Sequence, residues 1–413
     1  MTARVVITGI GTISAAGVGR EALAAALHEG RPRLRPIRAF ATRGARSRLG
    51  GICEEFEPRE FIPPLRARRM DRSCQMAVAA ARLAVADARI DLGAFDRSAV
   101  GIAIGTGAAG TESTFAFFRG LVESGPQGTN PMVFPNTVSN APAGTIGIEL
   151  GAAGPNTTFA QRGTAAEAAI ICGVRWIRRG RARVVLAGGV DEVNEAFFHA
   201  HARFGVLSPG RAGTEEGMRP FDRGRNGYVL GEGATVLVLE ERGAARERSA
   251  RVLGEVAGWG QATEPSGILE WAPSSDPIVR SAGAALRMAG AGPADLLWWN
   301  SSANGSRGLD PIELGAVRLL FGEGRRAPPV SSVKPIFGES ISSGAVRCAV
   351  SLVAIGEGRV PPTAGLEDPE GADGIDLVRG GPREAEGLSL VLQDGVGEAG
   401  GCISLAIRKE WGS

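Results

Sequence analysis

The stretch MRPFDRGRNGYVLGEGATVLVLEE, residues 218–241, joins a loop rich in glycine and charge to an apolar run. The run over residues 234–240 is short, apolar and rich in β-branched residues, which predicts a buried strand. The glycine-rich part belongs to a longer segment, residues 197–228, whose Gly, Pro and mixed charges predict a loop, and residues 364–386 have the same character. Long loops on layered α/β proteins often carry or cover a site.

Outward from this strand, the chain shows one order of elements twice. Each half has a β-rich run, an alanine-rich helix, a short apolar strand, a strand–turn–helix unit and closing apolar strands. In the first half these lie at residues 4–14, 71–90, 100–107, 156–177, and 183–189 with 234–240; in the second, at 251–261, 274–290, 296–302, 330–355, and 375–379 with 402–407. Alternating strands and helices predict an α/β fold with buried sheets. The duplicated order predicts two packed pseudo-repeats, residues 1–245 and 246–413.

Composition excludes several classes of protein. At 413 residues the chain is long enough for two packed cores or one large layered domain. Its 44% apolar and 22% charged residues are typical of a globular protein, and its net charge of +2 argues against binding nucleic acid or membrane by bulk charge. No run approaches the ~18 apolar residues of a membrane span, and the N-terminal stretch has the pattern of a buried strand rather than a signal peptide. We therefore expect a cytoplasmic protein with no nucleic-acid or membrane partner.

Neither the cysteines nor the histidines form a metal-site pattern. The five cysteines are scattered without a CxxC pair, which indicates reduced thiols rather than disulfides or a zinc site. His199 and His201 are close in sequence, but two nitrogens without a third ligand favour a surface or core role. The glycines of residues 6–17 lack the GxGxxG spacing of a dinucleotide loop and its acidic partner. The sequence predicts no metal and no cofactor.

Six segments together point to one protein family. They are residues 5–14 (VVITGIGTIS), 154–180 (GPNTTFAQRGTAAEAAIICGVRWIRRG), 184–192 (VVLAGGVDE), 218–241, 300–317 (NSSANGSRGLDPIELGAV) and 331–340 (SSVKPIFGES). In this order, and over nearly the whole chain, they resemble the β-ketoacyl synthases, or condensing enzymes. The resemblance implies the thiolase-like fold, whose two similar halves form a five-layer αβαβα core. That implication agrees with the duplicated order of elements.

The resemblance also implies a catalytic site with a nucleophilic Cys at a strand-to-helix turn and two His that assist decarboxylation of malonyl groups. In this chain the nucleophile position holds Gln161, the first His position holds Ser302 and the second holds Glu339. Lys334 matches the family, as do the two acidic residues of LDPIE, residues 309–313. The sequence therefore predicts that all three catalytic positions are vacant.

The three replacements remove the family's chemistry. A Gln amide forms no thioester, Ser302 holds no positive charge, and an ionised Glu339 would oppose the enolate that a His should stabilise. The family's gating loop corresponds to residues 397–402, where Glu398 stands at the position of a bulky Phe. Glu339 and Lys334 either form a buried ion pair in the former catalytic cavity or are separately solvated or bound to backbone, and the sequence leaves both interpretations open.

One predicted helix carries Phe115, Phe117 and Phe118 within a single turn. Such a stripe is most often core, which we expect for two of the three. In the resembled family this element lies near the subunit interface, where the growing chain is accommodated. The resemblance therefore implies that Phe115, Phe118, Met132 and Phe134 line or end a tunnel.

Gln at the nucleophile position marks two groups in the resembled family: decarboxylases, which keep both His, and chain length factors, which lose the machinery. The triple replacement predicts a chain length factor, inactive on its own, that forms a heterodimer with a catalytic type II polyketide ketosynthase through the sheet edge near residues 156–161. The pair would condense malonyl units from acyl carrier protein, and this chain would set the depth available to the growing polyketide chain. The alternatives are a malonyl-ACP decarboxylase, an atypical active synthase, a decayed synthase and a structural homodimer.

Overall fold

The computed structural model describes residues 3–210, 215–267, 270–322 and 327–410. Within these ranges the chain forms one mixed sheet of eleven strands and two small two-stranded sheets. No helix in the same ranges is long and apolar enough to span a bilayer.

The strands are β1 (Val5–Ser14), β2 (Gly17–Val18), β3 (Arg35–Pro36), β4 (Leu49–Gly50), β5 (Val100–Gly105), β6 (Asn156–Phe159), β7 (Val184–Asp191), β8 (Gly233–Glu241), β9 (Gly254–Thr263), β10 (Trp298–Asn300), β11 (Val330–Ser331), β12 (Arg359–Val360), β13 (Arg383–Glu384), β14 (Leu390–Val396) and β15 (Gly401–Arg408). The α-helices are α1 (Arg20–Glu29), α2 (Pro64–Ala67), α3 (Arg72–Asp87), α4 (Thr111–Ser124), α5 (Ala141–Leu150), α6 (Ala165–Arg178), α7 (Glu195–Phe204), α8 (Arg242–Glu247), α9 (Asp276–Met288), α10 (Leu309–Phe321), α11 (Lys334–Phe337) and α12 (Gly344–Glu357).

The large sheet contains the same five-strand pattern twice. The strand order is β6-β5-β7-β8-β1 in the first half and β11-β10-β14-β15-β9 in the second. In each half the first three strands of this order run parallel to one another. The fourth strand is antiparallel to the third, and the fifth is antiparallel to the fourth. The halves join where β1 pairs antiparallel with β9, at Val6 with Glu255 and Ile7 with Gly254. The duplicated order read from the sequence is therefore present in the sheet, while the predicted boundary between residues 245 and 246 falls within α8 and stays a prediction.

Five layers result from the way the helices cover this sheet. Helices α6 and α12 lie between its two halves and form a central core with one face of each. Helices α3 and α5 cover the outer face of the first half, and α9 and α10 cover that of the second. Strand β8 shows the division, because Leu237 and Leu239 belong to the central core whereas Val236 and Val238 pack with α3. The predicted thiolase-like αβαβα fold is confirmed.

Helix α3 starts and packs as its sequence predicts. The Asp71 carboxylate accepts the Cys74 N–H at 2.8 Å and caps the helix. Its small residues allow close contact with β1: a Cβ on Gly11 would lie 1.9 Å from the Ala80 carbonyl oxygen. This contact holds helix α3 of the outer layer against strand β1.

One predicted strand is absent. Residues 375–379 form only an isolated bridge, between Leu377 and Val330. The segment lies between Gly374, with φ 76°, and Gly380, with φ 78°, so the chain turns at both ends and leaves no room for a ladder. The prediction of a strand there was wrong.

The predicted loop over residues 197–228 begins as a helix. Asn194 caps α7 by accepting the Phe197 N–H at 2.9 Å, so helical structure extends well into the segment. One face of α7 is buried at Phe198 and His201. This helix brings side chains of the presumed loop against the site described next.

Candidate functional site

A small cavity lies where four connecting segments meet. These are the β6–α6 turn, the loop after β10, the α11–α12 connection and the β14–β15 turn. The cavity has a volume of about 40 Å³, which holds no more than a few water molecules. Its polar lining includes His201, Tyr228, Asn304, Glu339 and Glu398.

Gln161 lies in the β6–α6 turn, as the sequence predicts, but its side chain is exposed rather than inside the cavity. The two residues that follow it, Arg162 and Gly163, do line the cavity. The turn is tightly held because Gly163 has φ 65° and a Cβ there would lie 2.6 Å from Gly397 in the β14–β15 turn. A strand-to-helix turn in the right place is therefore present with a neutral amide on it.

Ser302, Lys334 and Glu339 come together at the inner end of the site. Lys334 Nζ lies 2.9 Å from Oε1 and 2.8 Å from Oε2 of Glu339, and 3.2 Å from Ser302 Oγ. The side chains of Lys334 and Glu339 are only 3% and 14% exposed. Of the two interpretations left open by the sequence, the buried ion pair is the one observed.

Glu339 is held from its backbone as well as its side chain. Its N–H donates to the Val229 carbonyl at 2.7 Å, and its carbonyl accepts the Gly231 N–H at 2.8 Å. Residues 229–231, within the stretch 218–241, therefore position the Glu339 carboxylate against Lys334. The glycine-rich part of that stretch thus holds the backbone of Glu339 in place.

The two acidic residues of the LDPIE segment shape the loop that carries Ser302. Asp310 accepts the N–H groups of Phe221 and Asn304 at 2.8 and 3.1 Å, and burial raises its pKa to about 6. Glu313 accepts the Ser302 N–H at 3.0 Å. Burial, followed by the nearby Asp394 carboxylate, raises the pKa of Glu313. These carboxyls hold backbone rather than reactants.

His201 is a cavity residue that the sequence reasoning did not identify. Its Nδ1 lies 2.8 Å from the Phe197 carbonyl, so Nδ1 carries the proton and donates, and Nε2 is left as an acceptor. Burial lowers the pKa of His201, which keeps the ring neutral. His199, two residues away, instead contacts the Ala41 carbonyl at 3.0 Å. The cap at Asn194 was the signal that could have placed His201 on the buried face of a helix.

An ion pair forms part of the lining of the cavity. Arg162 Nη1 donates to Glu398 Oε2 at 2.5 Å, and Tyr228 donates to the other carboxylate oxygen at 3.5 Å. The side chain of Arg162 is 46% exposed and that of Glu398 is 11% exposed. Glu398, which the resemblance places at the position of an apolar gate residue, thus forms an ion pair that links the β14–β15 turn to the β6–α6 turn.

No thiolate is available in the part of the chain that the structure describes. Burial raises the pKa of every cysteine thiol: Cys53, Cys74, Cys172, Cys348 and Cys402. A thiol with a raised pKa stays protonated at neutral pH and is a poor nucleophile. Across residues 3–210, 215–267, 270–322 and 327–410, no three His, Cys, Asp or Glu side chains are grouped so as to hold a metal ion.

The predicted tunnel residues form an exposed apolar patch, defined by Phe115, Phe118, Met132 and Phe134. Their exposed fractions are 46%, 55%, 57% and 58%. Phe117 is half-buried, and its ring centroid lies 5.6 Å from that of Phe134. The expectation that two of the three phenylalanines of α4 are core was wrong, because this helix buries little more than Ser113 against the body of the chain.

Comparisons with known proteins agree with this architecture. The family model for the β-ketoacyl synthase N-terminal domain matches residues 2–245, and that for the C-terminal domain matches residues 253–367. The 3-oxoacyl-[acyl-carrier-protein] synthase 2 of Synechocystis sp. is 30% identical over 408 residues, 98% of each chain. The granaticin polyketide putative beta-ketoacyl synthase 1 of Streptomyces violaceoruber is 33% identical over 414 residues, 97% of each chain.

Solved structures give the same result for the fold. The ishigamide ketosynthase/chain length factor superposes with a TM-score of 0.92 at 29% identity, covering 100% of both chains. A type II PKS acyl-carrier protein in complex with its ketosynthase superposes with a TM-score of 0.90 at 21% identity, covering 99% of this chain and 100% of that one, a likeness of fold alone. From its two matching domain models and its full-length relatives, this chain belongs to the β-ketoacyl synthase family.

Proposed function

We propose that this chain is a chain length factor: a non-catalytic subunit that pairs with a catalytic type II polyketide ketosynthase and limits the length of the polyketide. The observation that carries the proposal is the contact of Lys334 with Glu339 and Ser302 at 2.8–3.2 Å. Of the three positions that the resemblance assigns to catalysis, Glu339 is thereby held in a buried ion pair, and Ser302 accepts a hydrogen bond from the same lysine. The third, Gln161, is exposed and neutral.

The chemistry of the site supports an inactive chain. Condensation needs a thiolate to carry the acyl group, and groups that stabilise a developing enolate and oxyanion. Gln161 supplies no thiolate, and Glu339 brings negative charge to a place where the reaction would develop more of it. The cavity of about 40 Å³ leaves no room for an acyl group beside this pair.

The exposed apolar patch supports a partner subunit. Large apolar side chains exposed on and after one helix are typical of surfaces that a partner buries. Strand β6 lies at an edge of the large sheet within the described residues, so a partner's strand could continue the sheet there. We propose that a ketosynthase covers both features, and that Phe115, Phe118, Met132 and Phe134 end a tunnel formed between the two subunits.

The partner can be tested by co-expression with a catalytic type II ketosynthase from a polyketide system. We expect a 1:1 complex on size-exclusion chromatography and poor solubility of this chain alone, because an uncovered apolar patch and sheet edge favour aggregation. Phe118→Glu would place a charge in the patch and should abolish the complex, whereas Phe204→Glu, at an exposed phenylalanine outside it, should not. A stable monomer that ignores such partners, or a homodimer formed in their presence, would contradict the proposal.

Inactivity can be tested with labelled malonyl-ACP. The purified chain should neither release CO2 nor take up label, and Gln161→Cys alone should not condense, because Ser302 and Glu339 remain in place. Arg162→Cys, one residue along the same turn, is the matched control for incidental acylation of a new thiol. CO2 release by the unmodified chain would favour the decarboxylase alternative, and condensation by Gln161→Cys would show that the two His positions are misassigned.

A further inference from the structure

Helix α1 borders an open furrow on one of its faces. The furrow has a volume of about 660 Å³ and shares no lining residue with the cavity beside Glu339. Leu23 and Leu27 are buried on another face of the helix. Ala24 and Ala25 line the furrow. Because an alanine side chain ends at Cβ, these two residues leave space open between α1 and the C-terminal end of α12.

The lining of the furrow is mainly apolar. Ile10 of β1 and Leu352 and Ile355 of α12 are buried side chains that contribute to it. His28 and Glu357 also belong to the lining and link α1 to α12, with His28 Nε2 2.7 Å from Glu357 Oε2. Small-molecule sites in proteins are mostly apolar clefts of about 300–1,000 Å³ that contain a few polar groups. The furrow has the size and the lining of such a site.

A second cavity, rich in arginine, adjoins the furrow. It has a volume of about 550 Å³, and Arg20, Glu21 and Arg251 line both cavities. Arg89 and Arg248 belong to the second cavity alone. We call the second cavity the arginine cavity. The apolar furrow therefore leads directly to a group of guanidinium groups.

Two of these guanidinium groups share a single carboxylate. Asp87 Oδ1 accepts a hydrogen bond from Arg251 at 2.9 Å and lies 3.8 Å from Arg20 Nε. The other oxygen of Asp87 accepts the Ile10 N–H at 2.9 Å. Glu21 adds little, because its carboxylate is 3.9 Å from Arg20 and its side chain is 84% exposed. Positive charge is thus in excess where the two cavities meet.

The other ionisable groups do not remove this excess. Arg248 is satisfied by both carboxylate oxygens of Glu240, at 2.8 and 2.6 Å. Arg89 is exposed and forms no ion pair within the described residues. The carboxylate of Glu410, in the wall of the furrow, is held by Arg4 at 2.5 Å. The acidic groups of the furrow are therefore matched by their own partners, and the arginines at its end remain available to an anion.

We infer that the furrow binds an amphipathic anion, a small molecule with a carboxylate or phosphate head and an apolar body. Its head meets Arg20 and Arg251, since guanidinium groups bind carboxylate and phosphate through paired, charge-assisted hydrogen bonds. Its apolar body lies against α1 and α12. A simple inorganic anion would leave the apolar lining uncovered, and a neutral apolar molecule would leave the arginines without a counter-charge. This site does not depend on the proposed function, because it shares no residue with the cavity beside Glu339 or with the patch on α4.

Isothermal titration calorimetry with decanoate and with decyl phosphate, each below its micelle concentration, tests the inference. The sample is the full chain or its complex with a ketosynthase, with the same partner throughout. Each anion should bind at one site on this chain, and decanol about tenfold or more weakly. Binding of only one anion would also support the inference and would identify the head group.

Two variants test the two parts of the site separately. Arg20→Gln/Arg251→Gln should weaken binding of both anions by about tenfold and leave decanol unchanged, because only the head group loses its partners. Ala25→Trp should weaken binding of the anions and of decanol alike, because the indole occupies the furrow. Ala25 is exposed, so the larger side chain does not enter the core. Unchanged melting temperatures would show that both variants are folded.

The matched control is Arg181→Gln/Arg307→Gln, at two exposed arginines that line neither cavity. It changes the net charge equally and should alter the affinity by less than about twofold. Phe118→Glu, in the patch on α4, should leave binding at the furrow unchanged. The inference would be overturned by the absence of binding, by equal affinities for decanoate and decanol, or by equal losses in the two arginine variants. Loss of binding in Phe118→Glu but not in Ala25→Trp would place the ligand on the patch and would also overturn it.

Discussion

The buried pair of Lys334 and Glu339 allows a quantitative test of the idea that Glu339, at a position that the resemblance assigns to catalysis, stabilises the fold. Replacing Glu339 with Gln keeps the shape of the side chain but removes the charge that Lys334 meets at 2.8 and 2.9 Å. Lys334 is only 3% exposed and cannot turn to water without moving its surroundings. We therefore expect Glu339→Gln to destabilise the fold.

The magnitude follows from burial. Removing one partner of a buried ion pair costs about 3–5 kcal/mol, and the 14% exposure of Glu339 and the Ser302 contact place this case near the lower end. For a chain of 413 residues the entropy of unfolding is about 0.9 kcal/mol per degree. A loss of about 3 kcal/mol therefore lowers the melting temperature by about 3–4 °C.

Scanning calorimetry or a thermal-shift assay at neutral pH measures this change. Glu54→Gln is the matched control, because its partner Arg35 also lies 3.0 Å away but both side chains are more than a third exposed; its melting temperature should shift by less than about 1 °C. Lys334→Met/Glu339→Gln should recover most of the loss, since it leaves no unpaired charge. Equal shifts for Glu339→Gln and Glu54→Gln, or a double variant as unstable as the sum of its parts, would refute the argument that this pair stabilises the site.

Three other predictions concern length control, pH and capping. Alanine at any of the four residues proposed to end the tunnel should lengthen the products of the reconstituted complex, seen by mass spectrometry, whereas truncation of a core residue should lower yield alone. Burial and the Asp71 carboxylate raise the pKa of Glu192 to about 7 in the folded protein. The folded protein therefore holds more protons than the unfolded chain between about pH 4.5 and 7, and its stability falls as the pH rises through that range. Glu192→Gln should raise the melting temperature at pH 8 but hardly at pH 4. Asp71→Ala should cost about 1 kcal/mol in urea denaturation through loss of the α3 cap, and Asp71→Asn should restore most of it.

The fold could be predicted from the sequence because its signals are local and repeated. Each half places an alanine-rich helix and buried strands in the same order, and a cap such as Asp71 marks where a helix begins. The strand prediction that failed overlooked turns that directly flank the segment. Residues 375–379 have the composition of a strand, but turns on both sides leave them a single bridge to Val330.

The candidate site also has features that the sequence predicted and features that it did not. The resemblance assigned Gln161, Ser302 and Glu339 to the catalytic positions, and this assignment stays a prediction. Whether Glu339 would reach Lys334 depended on the pairing of its backbone with the segment after Tyr228. His201 was missed because an i,i+2 pair of histidines does not show which one faces inward. The burial of α4 was overestimated because an apolar stripe does not show whether its cover belongs to the same chain or to another.

That last error bears on function. Helix α4 carries three phenylalanines, a leucine and a valine, yet the chain itself fully buries none of them, while the cavity of the site has a volume of only about 40 Å³ and two ion pairs lie beside it. An enzyme of this fold working alone would need an open chamber inside and could have a polar surface outside. This chain instead exposes the apolar side chains of α4 and has only a small cavity at its site. A subunit that supplies a wall to a partner's chamber needs this arrangement, because the part of it that meets the acyl chain is a surface that its own core leaves uncovered.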